Sequence, residues 1–100
     1  MKLLIINPNI SESVTALIKK EARLAAAPDT EITMLTAPMG VAYIETRFEA
    51  MIAAYAVAEL AAEHAHQHDA VILAAFGDPG LEVLREALDI PVLGMTESAL

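Results

Sequence analysis

Two short polar turns hold the residues whose types and spacing are suited to chemistry. The first, Asn7-Pro8-Asn9, follows an apolar run, and so does the second, Phe76-Gly77-Asp78-Pro79-Gly80. Each turn leads into a segment with a helical pattern, so backbone N–H groups at two helix starts can bind a carboxylate or a developing enolate oxygen. Asn7 and Asn9 can add side-chain amides, while Gly77 and Gly80 permit close backbone approach. The pattern predicts a binding site for a small anion.

The same two turns also have a purely structural interpretation. Asn-Pro and Asp-Pro-Gly sequences are common in turns that bind nothing. Asp78 is a good helix N-cap, and Pro79 is pre-organised for the first helical position. Spacing alone leaves both interpretations open.

Seven predicted elements alternate along the chain and position these turns. The apolar runs predict buried strands, and the segments between them have helical periodicity or polar caps. Phe48, Met51, Ile52 and Tyr55 recur at i, i+3, i+4 and i+7, which predicts that the second helix includes this segment. The predicted elements are strands at Leu3–Ile6, Glu31–Thr36, Ala70–Ala75 and Ile90–Gly94, and helices from Ser11 or Ser13 to about Ala27, over a long segment that ends near His68, and from Pro79 past Leu88.

This alternation predicts one α/β domain over residues 1–100, with a four-stranded parallel sheet and helices on both faces. The simplest strand order is the flavodoxin-like 2-1-3-4, in which the topological switch lies between the first and third strands. Ligands of open α/β sheets bind beyond the carboxyl ends of the strands at such a point. We therefore expect Asn7 and Gly77 to lie at the same edge of the sheet.

Composition excludes several classes of function. Six basic residues against fourteen acidic ones give a net charge of −8, so we expect no nucleic-acid partner. No apolar stretch approaches the roughly 20 residues of a membrane span, and the N-terminus does not resemble an export signal, which together predict a cytoplasmic protein. The chain contains no cysteine, so thiolate metal sites and thiol catalysis by this chain are impossible.

Three further candidates lie outside the two turns. Tyr43 falls on the connection after the second strand, and Thr96 follows the fourth strand; either can contact a ligand or simply be solvated. His64 and His68 are four residues apart on a helix, which is a metal-ligand spacing. They lie at a helix C-terminus without a third ligand at motif spacing, so we expect no metal site.

The order of several motifs resembles the aspartate/glutamate/hydantoin racemase family, in its hydantoin and allantoin racemase branch. The Phe-Gly-Asp-Pro-Gly run after a hydrophobic strand is the most specific of them, and the resemblance runs across nearly the whole chain. The motifs are Asn7-Pro8-Asn9 with Ser11, Ile44-Glu45, Ala74 to Leu81, Arg85-Glu86 and Pro91-Val92-Leu93-Gly94.

The resemblance implies a protein of two pseudo-symmetric α/β lobes, of which this chain is similar to the N-terminal one. Its active site lies between the lobes, where one cysteine from each faces opposite sides of the substrate carbon. One thiolate removes the proton next to a carbonyl and the other thiol returns one, and no cofactor is needed. The resemblance places the substrate against the two turns, Tyr43 and Thr96.

The chain departs from this pattern in two ways. The family's first cysteine precedes the Phe-Gly-Asp-Pro-Gly run, which is the position of Ala75, and an alanine methyl cannot accept a proton. An introduced substitution, a natural non-catalytic relative and a one-base branch similar to the family's decarboxylases all remain open. The second lobe is also missing, so a complementary lobe or a second copy of the chain would have to complete the cleft.

Overall fold

The computed structural model describes residues 1–75 and 77–95, and these form alternating strands and helices as predicted. The strands are short, and each helix connects two strands that run in the same direction. Their bounds are β1 (Lys2–Asn7), α1 (Glu12–Ala25), β2 (Glu31–Thr36), α2 (Arg47–His64), a 3-10 helix (Ala65–Gln67), β3 (Ala70–Leu73), α3 (Leu81–Ala87) and β4 (Val92–Gly94). Within the described ranges, no helix has both the length and the apolar content to cross a bilayer.

The four strands form one parallel sheet in the order β2-β1-β3-β4, which confirms the predicted topology. Ile6 pairs with Leu73 across β1 and β3, and Leu73 pairs with Gly94 across β3 and β4. Because the strands are parallel and in this register, the residues that follow β1, β3 and β4 all emerge at the carboxyl edge of the sheet. The topological switch point therefore lies between β1 and β3.

The sheet has two unequal faces. Leu4 and Ile6 of β1 point into the core on the side of α2 and α3, whereas Ile5 points to the side of α1, as side chains alternate along a strand. The core on the first side is formed by ten buried residues from α2, the 3-10 helix, α3 and three strands. They are Leu4, Ile6, Val57, Ala61, Ala65, Val71, Leu73, Leu81, Leu84 and Val92.

The apolar residues whose spacing predicts α2 are largely not the ones that the helix buries. Phe48, Met51 and Tyr55 are 66%, 63% and 58% exposed. The helix instead buries a face of small side chains, namely Ala53, Ala56, Val57 and Ala61. Small residues allow the α2 backbone to approach the sheet and α3 closely. The residues that α2 buries are therefore those that fit this narrow space, and not its largest apolar side chains.

Polar caps fix where α1 and α2 begin. The Ser11 hydroxyl accepts a hydrogen bond from the Val14 N–H at 3.3 Å, which selects Ser11 rather than Ser13 as the cap of α1. Thr46 and Glu49 form a reciprocal capping box at the start of α2. The backbone N–H groups of Glu45 and then Thr46 hold the pKa of the Glu49 carboxyl below its usual value, so the charged form is the one that caps.

Candidate functional site

The turn after β1 is built around the side chain of Asn7, which is fully buried. Its Nδ2 donates to the Ser11 carbonyl at 3.1 Å and to Thr15 Oγ1 at 2.9 Å, while its Oδ1 accepts from the Asn9 N–H at 3.1 Å. Both amide hydrogens are therefore directed into the protein. Asn7 holds the turn against the first residues of α1 and does not present its amide to solvent.

The backbone of this turn is also satisfied from within. The N–H of Ser11 donates to Asn9 Oδ1 at 2.9 Å, and the N–H of Ile10 donates to the Val41 carbonyl at 3.0 Å. With the Asn9 N–H bound to Asn7, three consecutive amides have partners inside the chain. These three N–H groups, which precede the first residue of α1, are therefore satisfied within the chain.

Two threonines extend this network to the neighbouring strand. Thr15 Oγ1 lies 2.6 Å from Thr36 Oγ1 at the end of β2, and Thr36 is the register partner of Asn7. The Ile10–Val41 hydrogen bond then fixes the turn to the connection that carries Tyr43, whose side chain is exposed. The sequence analysis missed Thr15 and Thr36; the available signal was a threonine in the first turn of α1 and another at the end of β2.

The turn after β3 begins level with the end of β1. The Ala74 N–H donates to the Ile6 carbonyl at 3.0 Å, and the Asp78 N–H donates to the Ala75 carbonyl at 3.3 Å. Ala75 is half-buried and lies two residues beyond the end of β3. Ala75 therefore lies at the carboxyl edge of the sheet, close to where β1 and β3 end.

Asp78 does not cap α3, contrary to the sequence prediction. The helix begins at Leu81 with Gly80 as its N-cap residue, so Pro79 precedes the helix. Asp78 has a left-handed backbone with φ of 45°, and its carboxyl group lies directly over Gly94 of β4, where any side chain on Gly94 would overlap with it. Asp78 therefore fixes the turn to the end of the neighbouring strand.

Gly77 and Gly80 provide a matched pair for testing the shape of this turn. Both have left-handed φ values, +85° and +84°, but a Cβ on Gly80 would lie 3.3 Å from the Ala54 Cα, whereas a Cβ on Gly77 would meet nothing within 4 Å. We expect Gly77→Ala to lower the free energy of unfolding by about 1 kcal/mol through backbone strain alone. Gly80→Ala adds the contact with α2 and should lower it by about 2–3 kcal/mol in urea denaturation. Equal losses would show that the close approach to α2 has no energetic role.

The carboxyl edge thus collects most of the predicted site residues. Asn7 ends β1, Asn9 follows it, and Ala75 and Gly77 to Gly80 follow the neighbouring β3. Val41 connects the Tyr43 segment to the first turn. Phe76 and Thr96 lie outside the described residues. The histidines lie at the opposite, amino edge, where His64 and His68 border a depression with Lys2 and Glu31, and His68 Nδ1 is 2.8 Å from the His64 carbonyl.

Comparison with known proteins supplies the family. The family model described as Asp/Glu/Hydantoin racemase matches residues 3–100, which is nearly the whole chain. The chain belongs to this family. It is 36% identical over 102 residues to a hydantoin racemase of Paenarthrobacter aurescens and 37% identical over 100 residues to one of a Pseudomonas species, strain NS671.

Two solved allantoin racemases share the fold of this family member closely. The Klebsiella pneumoniae structure matches 99% of the chain with a TM-score of 0.94 and 41% identity, and the Pseudomonas fluorescens structure matches 99% with the same TM-score and 40% identity. The chain covers 41% and 42% of those two proteins, and 43% and 40% of the two hydantoin racemases. It therefore spans about two fifths of the length of these relatives.

Proposed function

We propose that the chain is the N-terminal lobe of a cytosolic, cofactor-independent racemase that acts on a carbon next to a carbonyl, in a hydantoin, in allantoin or in an amino acid. The observation that carries the proposal is the position of Ala75. This residue lies two positions beyond the end of β3, beside the topological switch, and its carbonyl accepts the Asp78 N–H of the following turn, in a chain whose family is that of racemases. Family resemblance places the first catalytic cysteine there.

The reaction explains why a base is wanted at this position. Removing the proton leaves an electron pair that moves onto the adjacent carbonyl oxygen, and a second acid then returns a proton to the opposite face. Each step needs a side chain that can accept or release a proton, and a hydrogen-bond donor that faces the carbonyl oxygen. The methyl group of Ala75 has neither property, so the chain by itself does not catalyse two-base racemisation.

We assign different roles to the two turns. The Ala75–Gly80 turn, with Phe76 in it, faces the substrate, whereas Asn7 is a positioning residue that holds the first turn through Ser11 and Thr15. Asn9, Tyr43 and Thr96 complete the substrate side of this lobe in the proposal. A complementary lobe or a second copy of the chain closes the site, because the relatives are more than twice as long.

The second candidate is a small-anion-binding or assembly domain without chemistry, or a one-base relative similar to the family's decarboxylases. Ala75 also favours this second candidate, because neither it nor any other residue of this chain supplies a thiol. Both candidates keep the ligand at the carboxyl edge. They differ in whether restoring a base restores proton transfer.

Binding at the carboxyl edge is the first testable expectation. In an NMR titration of the chain with allantoin or 5-methylhydantoin, we expect saturable amide shifts at residues 7–11 and 74–80. Urea, which has the amide groups but no α-carbon, should shift these signals far less at equal concentration. Shifts confined to the amino edge, at Lys2, His68 and Asp69, would contradict the proposed site.

A further inference from the structure

Asp78 keeps a side chain in a backbone conformation that suits glycine better. Among the described residues other than glycine, it alone has a left-handed backbone, with φ of 45°. Aspartate tolerates this region better than most residues, but a glycine such as the preceding Gly77 adopts it without strain. Strain that is kept at one position of a turn points to a role for the side chain.

The carboxylate of Asp78 has a fixed position at the carboxyl edge of the sheet. It lies directly over Gly94, the last residue of β4, which is the register partner of Leu73 at the end of β3. The Asp78 N–H also donates to the Ala75 carbonyl at 3.3 Å, and a turn closed in this way brings its first and last Cα atoms within about 7 Å. The negative charge is therefore held close to position 75.

Several N–H groups that could bind an anion at this edge have partners within the chain. Those of residues 9, 10 and 11 are bonded inside the first turn and to the connection beside it. In the second turn, the Asp78 N–H is bonded to Ala75, Pro79 has no N–H, and the Leu81 N–H donates to the Asp78 carbonyl at 3.1 Å. These groups do not offset the charge of the carboxylate for a ligand at the edge.

We propose that the Asp78 carboxylate makes the carboxyl edge select uncharged ligands over anionic ones. The inference rests on the proposed function for the location of the ligand and adds the residue that discriminates. A neutral ring such as 5-methylhydantoin meets no repulsion there, whereas N-carbamoylalanine, the carboxylate formed when water opens that ring, does. At about 7 Å in a partly aqueous setting, repulsion between two like charges disfavours the anion by about threefold to tenfold.

A single thiol can report this selectivity without a bound substrate. The chain contains no cysteine, so Ala75→Cys introduces one thiol at the position of interest. Iodoacetamide and iodoacetate both alkylate a thiolate, forming a sulfur–carbon bond as iodide leaves, and they are similar in size. The first reagent is neutral and the second is anionic. Because both react with the thiolate, the ratio of their rates is independent of the thiol pKa and reports the charge around position 75.

In the Ala75→Cys chain at low ionic strength, we expect the ratio of the iodoacetamide rate to the iodoacetate rate to be about threefold to tenfold higher than for free 2-mercaptoethanol. Adding Asp78→Asn should bring the ratio to within about twofold of the free-thiol value, and salt at about 1 M should do the same by screening. Glu86→Gln is the matched control, because it removes the same charge from an exposed side chain in the last turn of α3 and should leave the ratio unchanged.

An equal ratio with and without Asp78→Asn would overturn the proposal, as would a free-thiol ratio in the Ala75→Cys chain itself. A thiol that neither reagent reaches in the folded chain would overturn it too, because no ligand could then meet the charge. Asparagine tolerates the left-handed backbone, and thermal unfolding checks that each variant is folded. If Asp78→Asn were unfolded, the salt dependence of the Ala75→Cys chain would decide. Racemisation enters none of these outcomes, so the proposed function can fail separately.

Discussion

Replacing Asn7 with alanine is expected to lower the free energy of unfolding by about 2–4 kcal/mol, a large share of the stability of a domain this size. The side chain is fully buried and makes three hydrogen bonds, to Ser11, Thr15 and Asn9. Truncation leaves the Thr15 hydroxyl and the Asn9 N–H without this partner and creates a small void. Urea denaturation, with the slope checked for unchanged two-state behaviour, measures the loss.

Asn9→Ala is the matched control for this prediction. Asn9 is only half-buried, and its Oδ1 accepts a single backbone hydrogen bond from Ser11. We expect its loss to lower the free energy of unfolding by about 1 kcal/mol. If Asn7→Ala had no larger effect than Asn9→Ala, the assignment of Asn7 as the anchor of the turn would be wrong.

The sheet was predictable because its signals are local and strong. Apolar runs such as Leu3–Ile6 and Ala70–Ala75, separated by capped helices, leave few alternatives to a parallel sheet with right-handed crossovers. The order β2-β1-β3-β4 follows from the simplest arrangement of those units, and the alternating polar pattern of Glu31–Thr36 correctly placed it at an edge. The carboxyl edge was therefore identifiable as the location of both turns.

The errors arose where several elements meet. Helical periodicity marks Phe48, Met51 and Tyr55 as a stripe, but it cannot show that the sheet accepts only the alanine face of α2. Asn7 was expected to face a ligand. Its partner Thr15, and Thr36 that contacts Thr15, lie on elements whose approach depends on the whole fold, so the sequence did not reveal this network.

The Asp78 prediction failed for a similar reason. An Asp-Pro pair before a leucine-rich helix is typical of an N-cap, and local statistics favour that interpretation. The carboxyl group is instead directed to Gly94, sixteen residues further along the chain and on another strand. A lone glycine at the end of a predicted strand was the only hint that a neighbouring side chain needed the space.

Restoring the missing base should have the largest effect on activity. We consider a fusion in which the chain replaces the matching 41% of the Klebsiella pneumoniae allantoin racemase. In this fusion, Ala75→Cys is expected to raise the rate at which the α-proton of a 5-substituted hydantoin or allantoin exchanges with solvent deuterium by about 10²–10⁴-fold. The thiolate of the new side chain accepts the proton, so the rate should rise with pH as the thiol ionises. Ala74→Cys is the control, because Ala74 is buried one residue earlier in the chain and a thiol there is shielded from a ligand at the edge.

This exchange measurement tests the central claim most directly, namely that Ala75 occupies the position of a racemase base. The account predicts α-deuterium incorporation, followed by mass spectrometry or proton NMR, that is rapid in the Ala75→Cys fusion and at background in the parent and the Ala74→Cys fusion. If all three fusions bound the ligand but exchanged its α-proton only at the background rate, the racemase assignment would be contradicted. The chain would then be a binding domain without chemistry.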